Sequence, residues 1–287
     1  MEDMVIIGGG PAGLSAALYT LRGGQRTVVI GKDGGALWRA AGVENYFGAP
    51  GAPGGRELVE TGRRQVAELG GVFLEEEVTA LEWQEIFRIT TTARTLEARS
   101  VILATGASRA TLPIPGLKEL EGRGVSYCAV CDAFFYRGKE VAVLGSGPYA
   151  LHEVEDLLPA ASRVTLLPNG APLTAEFPPE VAVAAAPVAR ILGEGQVTGV
   201  AFTDGTELAV DGVFVALGSA GGVELARKLG LPVQNNKITV DASMATMIPG
   251  LFAAGDCVSP IQQASVAVGQ GAIAGLSALN YLRNHSK

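Results

Sequence analysis

Cysteine and histidine are scarce in this chain: three of the first and two of the second among 287 residues. Three cysteines cannot build a disulfide framework, so a reducing, cytoplasmic setting is expected. They also leave little for a metal. Cys128 and Cys131 make half of a zinc pattern, but Cys257, His152 and His285 do not complete it. Long hydrophobic runs are missing too. No apolar stretch reaches the roughly 18 residues of a membrane span, and the most alanine-rich, residues 181–188, is short and broken by Pro187. The opening Met1-Glu2-Asp3-Met4 sets no basic segment before an apolar one, so no signal peptide is expected. Positive charge is in deficit. The 22 Lys and Arg against 29 Asp and Glu leave a net charge of −7, which argues against a nucleic-acid or anionic-membrane partner.

What is present is a globular composition, 48% hydrophobic, with length enough for two domains. Its 39 glycines suit a fold with many tight strand-to-helix turns. Met4-Val5-Ile6-Ile7 has the short apolar run of a buried parallel strand, residues 14–22 have helical spacing, and Thr27-Val28-Val29-Ile30 is a second strand. Gly8-Gly9-Gly10-Pro11-Ala12-Gly13 therefore places GxGxxG in the first turn of a βαβ unit. Gly8 allows the tight turn, Gly10 lets backbone approach a pyrophosphate, and Gly13 lets the helix pack on the strand. Pro11 suits the first helical position, where its missing N–H costs nothing. The free N–H groups of the helix start favour phosphate. The pattern predicts dinucleotide binding. One feature is absent: the acid that usually ends the second strand for a ribose hydroxyl. The strand here runs into Gly31-Lys32-Asp33, with Asp33 past the expected place.

Residues 34–55 form a glycine- and proline-rich loop with Trp38, Tyr46 and Phe47, long enough to be functional. A helix is predicted over 56–69, strands within 72–97, and a buried strand over 100–104 ending in Thr105-Gly106. A second βαβ unit follows: strand 141–144, then Gly145-Ser146-Gly147-Pro148-Tyr149-Ala150, helix 151–158 and strand 163–167. The two halves repeat one nucleotide-binding design. Further strands are predicted at 197–208, 212–217 and 251–256, residues 237–241 lead back toward the first domain, and a small-residue helix is predicted at 264–282. The expected fold is α/β: two Rossmann-like three-layer nucleotide-binding domains, the second inserted in the first.

Just before the second unit stands Cys128-Ala129-Val130-Cys131-Asp132. Two cysteines so close can form a small-loop disulfide, and the adjacent carboxylate can move a proton. A CxxC beside a βαβ pattern points to redox chemistry. Asp132 has an alternative role as cap of a following helix. Cys257 reads as core packing.

Together these residues carry a resemblance. Gly8 to Gly13, Val43-Glu44-Asn45, Ala104-Thr105-Gly106, the CxxCD, the second GxGxxA, Ala253-Ala254-Gly255-Asp256 and Gln263-Ala264 resemble the low-molecular-weight thioredoxin reductases over nearly the whole chain. That family tolerates a non-acidic residue at Gly31. The resemblance implies an FAD domain of residues 1–112 and 240–287, and an inserted disulfide domain of residues 113–239. Gly8, Gly10, Pro11, Ala12, Gly13, Thr105, Gly106 and Gly255 would line the FAD site. Asp256 would lie near the ribitol, and Asn45, Gln263 and Ala264 near the isoalloxazine. Cys128, Cys131 and Asp132 would be catalytic, with thioredoxin as substrate, in a homodimer. Related enzymes with CxxxxC near the first glycine motif and a C-terminal His-Glu pair are excluded, because the cysteines here are central and His285 has no Glu partner.

The second unit departs from the family. Ordinary members place a His-Arg-Arg cluster after its second strand, for the 2′-phosphate of NADPH. Here the strand runs into Leu167-Pro168-Asn169-Gly170, and no Lys or Arg occurs between Arg163 and Arg190. Tyr149 stands where the first unit has Ala12, and is expected to crowd the pyrophosphate turn unless it swings away. The chain looks most like the ferredoxin-dependent flavin thioredoxin reductases. An ordinary NADPH-dependent reductase, an FAD-dependent dithiol oxidase and a flavin redox sensor are the alternatives. A second flavin could stack on Trp38, Tyr46 or Phe47. Arg22, Arg26, Lys32 and Arg39 are the candidate basic face for an acidic ferredoxin.

Overall fold

The computed structural model describes residues 1–32, 34–107, 112–217 and 221–285. Asp33 lies outside them. The chain divides into two compact units: residues 1–108 with 221–287, and residues 109–220.

The first unit opens with β1 (Glu2–Ile7), α1 (Pro11–Arg22) and β2 (Thr27–Ile30), the expected βαβ. The two strands pair in parallel, with Met4 opposite Thr27. Then come α2 (Gly55–Glu68), β3 (Val72–Leu74), β4 (Val78–Trp83), β5 (Phe87–Thr91) and β6 (Thr95–Leu103). The strand β6 is longer than its apolar run because it serves two partners in succession. Residues 95–98 pair antiparallel with β5, and residues 98–103 pair parallel with β1.

The second unit contains β7 (Val125–Ser126), α3 (Ala129–Asp132), β8 (Glu140–Leu144), α4 (Pro148–Leu157) and β9 (Arg163–Leu167). It continues with β10 (Ala182–Val183), β11 (Val188–Leu192), β12 (Gly199–Phe202), β13 (Glu207–Ala209) and β14 (Gly212–Val215). Five strands form a parallel sheet in the order β10-β9-β8-β14-β7, and β11-β12-β13 form a separate antiparallel sheet. The single strand expected over 197–208 is thus a hairpin. It turns at Asp204-Gly205, where Gly205 has φ +87° and the Asp204 carboxylate accepts from the Thr206 N–H at 2.9 Å.

The chain then returns to the first unit with α5 (Gly222–Lys228), β15 (Val233–Gln234), β16 (Lys237–Ile238), β17 (Leu251–Ala253) and α6 (Ala264–Asn284). β17 pairs in parallel with the end of β6 and completes a seven-stranded sheet. The second junction therefore falls earlier than residue 240, because α5 packs with β4, β15 and β16 of the first unit. The helices α1 and α6 meet through small residues. A Cβ on Gly271 would fall 2.1 Å from the Ala12 carbonyl oxygen, and one on Gly275 2.7 Å from that of Ala16. This contact explains the small-residue composition of α6. Met4, Ile6, Val29, Ile102 and Phe252 fill the core behind it.

Candidate functional site

In the first unit the expected cofactor residues gather at the carboxyl ends of the parallel strands, where α/β sheets bind ligands. Gly8 has φ +126°, and a Cβ there would meet the Ala104 carbonyl oxygen at 2.1 Å. Gly13 lies so close to Gly8 that a Cβ would fall 1.9 Å from its carbonyl oxygen. Gly10 differs: a Cβ on it would meet no protein atom within 4 Å. The turn is thus held tight at its ends and left open where a pyrophosphate would approach. Pro11 opens α1 as expected. Ala12 is buried, and its backbone faces Gly271 of α6.

Asn45 and Gln263 come together across the sequence, with Asn45 Nδ2 donating to Gln263 Oε1 at 3.0 Å. Gln263 is the residue preceding α6, and Ala264 is its first. Gly106 has φ +79° and open space about its Cα. The Thr105 hydroxyl also serves the fold. It accepts from the Gly222 N–H at 2.8 Å, where α5 starts, which leaves its O–H free to donate. Burial raises the Asp256 carboxyl above its ordinary value, against the lowering effect of Lys237.

Three partners escaped the sequence reading. Lys237 Nζ donates to the Asp256 carbonyl at 2.5 Å. Gln270 Oε1 accepts from the Gly255 N–H at 3.0 Å. Lys32 Nζ donates at 2.8 Å to Oε2 of Glu77, which is buried beyond the end of β3. Glu77 sets a carboxylate near the place where the second strand lacks one. Its position three residues beyond a neighbouring strand gave no sequence signal.

The guanidinium groups of Arg56 and Arg63 lie 5.1 and 5.2 Å from the Trp38 ring centroid. Trp38 is partly buried and packs on the core of the first unit, whereas Phe47 is exposed. The four basic candidates separate. Arg22 and Arg26 precede β2, Lys32 and Arg39 follow it, and Arg26 is paired with Asp3. They form no single face.

In the second unit Cys128 and Cys131 are joined in a disulfide. Cys128 is buried and Cys131 exposed. The pair lies at the start of α3, not ahead of a later helix. Cys128 occupies the cap position, and its Sγ accepts from the Cys131 N–H at 3.2 Å. Asp132 makes no capping bond to the turn that follows. Its carboxylate instead accepts from the Ser126 hydroxyl at 2.6 Å, and Ser126 Oγ accepts from the Cys128 N–H at 3.1 Å. Cys257, the remaining cysteine, is fully buried in the first unit, and burial pushes its thiol up to about 12.

The second glycine turn is not like the first. A Cβ on Gly147 would meet the Thr174 hydroxyl at 3.1 Å, and the Thr174 N–H donates to the Ser146 carbonyl at 2.8 Å. A segment of the chain's own backbone thus lies across this turn. The following 168–170 turn closes on β11, with Asn169 Oδ1 accepting from the Val188 N–H at 2.7 Å. Tyr149 does not crowd the turn as expected. Its ring is buried, and its hydroxyl donates to the Tyr127 carbonyl at 3.3 Å, beside the disulfide.

A glycine-turn unit with an open cradle, joined to a second such unit bearing a CxxC disulfide, defines a class. The chain belongs to the pyridine nucleotide-disulphide oxidoreductase family, whose model matches residues 2–271. Within it, the chain is 36% identical to the thioredoxin reductase of Listeria monocytogenes, over 98% of this chain and 93% of that protein. Among solved structures it resembles the atypical thioredoxin reductase TRi from Desulfovibrio vulgaris Hildenborough, with 37% identity, TM-score 0.92, and 100% and 99% of the two chains covered. It also resembles a ferredoxin-flavin thioredoxin reductase from Clostridium acetobutylicum, with 33% identity, TM-score 0.72, and 99% and 98% covered. The chain is a thioredoxin reductase-like oxidoreductase with FAD as its cofactor. The open cradle at Gly10 fits that cofactor. No helix among the described residues is long and apolar enough to cross a membrane.

Proposed function

We propose that this enzyme reduces thioredoxin through Cys128 and Cys131, with electrons from a protein donor of the ferredoxin type instead of a nicotinamide nucleotide. The observation that carries the reading is the contrast between the two glycine turns: open at Gly10, covered by Thr174 at Gly147. The neutral turn at 168–170 adds to it, since a 2′-phosphate is normally held by Arg or Lys.

Gly8, Gly10, Gly13, Gly106, Gly255 and Asp256 hold FAD in the first unit, with Asn45, Gln263 and Ala264 toward its ring. FAD bound there supplies a pair of electrons. Two electrons and two protons convert the Cys128–Cys131 disulfide to a dithiol. As that bond opens, Cys128 leaves as a thiolate, with the Cys131 N–H already directed at its sulfur. The exposed Cys131 thiolate then attacks the thioredoxin disulfide, forming a mixed disulfide and releasing one thioredoxin thiolate. Cys128 attacks that mixed disulfide, re-forms the bond to Cys131 and frees the second thioredoxin sulfur. Asp132, steadied by Ser126, carries the protons. The same reading makes the enzyme a cytoplasmic homodimer, with residues 109–220 as its disulfide domain.

Anaerobic stopped-flow with NADPH, NADH and reduced ferredoxin in parallel tests the donor. Ferredoxin should bleach the flavin band rapidly, and the nucleotides slowly or not at all. Rapid bleaching by NADPH at micromolar concentration restores an ordinary NADPH-dependent reductase.

A further inference from the structure

We infer that Tyr149 and Glu153 are positioning residues for the redox pair, a clamp built from α4 onto the two peptide groups that flank Cys128. The two residues stand four apart on α4 and so share a face of that helix. Both are only 1% exposed. The Tyr149 hydroxyl donates to the Tyr127 carbonyl at 3.3 Å, on one side of Cys128. Glu153 Oε2 accepts from the Ala129 N–H at 2.6 Å, on the other. With the Cys128 N–H held by Ser126 at 3.1 Å, the backbone of Cys128 is fixed at three successive residues.

The inference deepens the proposed function and rests on turnover of the Cys128–Cys131 bond. A sulfur on a fixed backbone stays close to its partner after reduction. The effective concentration of each thiol toward the other therefore stays high, which favours the disulfide and speeds resolution of a mixed disulfide. It also gives α4 a task that needs no nucleotide. The helix that follows a covered glycine turn here serves the cysteines.

The test is a redox titration of the purified holoenzyme in dithiothreitol buffers, scored by mass after alkylation. Tyr149→Phe removes one oxygen and keeps the ring. Glu153→Leu removes the acceptor and keeps the bulk. Each should shift the disulfide–dithiol equilibrium toward the dithiol by about tenfold, or about 30 mV for a two-electron couple. Glu153→Gln retains an acceptor oxygen and should stay within about twofold of the wild type, which equals less than about 10 mV. Bound FAD should be unchanged in all three, since its site lies in the other unit. Wild-type-like equilibria in both Tyr149→Phe and Glu153→Leu overturn the clamp. So does a shift in Glu153→Gln as large as in Glu153→Leu, because charge and not position would then be acting. If Glu153→Leu does not fold, Tyr149→Phe decides alone. A wild-type disulfide inert at every poise would instead overturn the reading of Cys128 and Cys131 as a redox pair.

Discussion

Single residues divide here into those the cofactor or cysteines need and those the fold needs, and Cys257 belongs to the second kind. Its thiol is raised from an ordinary value of 9.0 to about 12, first by burial. Below about pH 9 the thiol is protonated in both folded and unfolded chains, so its contribution to stability is fully present. Above that the unfolded chain ionises and the folded one does not, so stability falls by about 1.4 kcal/mol per pH unit until the pH reaches about 12. Urea midpoints measured from pH 8 to 11 should show this loss in the wild type and its absence in Cys257→Ala, with thioredoxin turnover largely kept. Equal alkaline slopes in the two proteins would remove Cys257 from the account. Residue identity alone revealed the CxxC and the glycine motifs, whose types and spacing are the signal. It could not reveal Glu77, Ser126 or Glu153, because each owes its place to a partner on another segment.

Elements were legible where period and punctuation agree. β1, α1 and β2 have apolar runs, a proline at the helix start and glycine in the turn, and they fold as expected. The helix α5 was missed because its seven residues span too few turns to set a period. The β12–β13 hairpin was missed although Asp204-Gly205 is a turn signal, because the flanking apolar residues read as one run. Close packing between elements separates two kinds of glycine. Gly10→Val should leave the apoprotein as stable as the wild type, since its Cβ meets nothing, and should abolish FAD binding. Gly271→Val drives a side chain into the Ala12 carbonyl of α1 and should cost about 3 kcal/mol or more. Flavin content and urea melts of the two variants check this. Retained FAD in Gly10→Val would place the pyrophosphate elsewhere.

For the whole molecule, the proposed function gives the two units two separate electron stores. Dithionite titration should take up about four electrons per chain, two for the flavin and two for the disulfide couple. Cys131→Ser should take up about two and remain yellow, because no residue of the cradle lies in the second unit. Uptake of two by the wild type would mean that the disulfide is not redox-active. The unit count was legible from the repeated glycine motif, while the interruption of one unit by the other came from the family resemblance. The junction near residue 220 was not, since α5 joins the first unit by contacts and not by composition.

That interruption also has a consequence in time. On the ribosome, β1, α1 and β6 emerge first, yet their partners β17 and α6 follow only after residues 109–220 have been made. At ordinary elongation rates the gap is on the order of ten seconds. During it the small-residue face of α1 that meets α6 has no partner, and by its end the disulfide unit has its complete sequence. The cysteines are therefore on the nascent chain before the segment that completes the FAD cradle, so the cofactor can be held only once residues 255–264 and α6 have followed them.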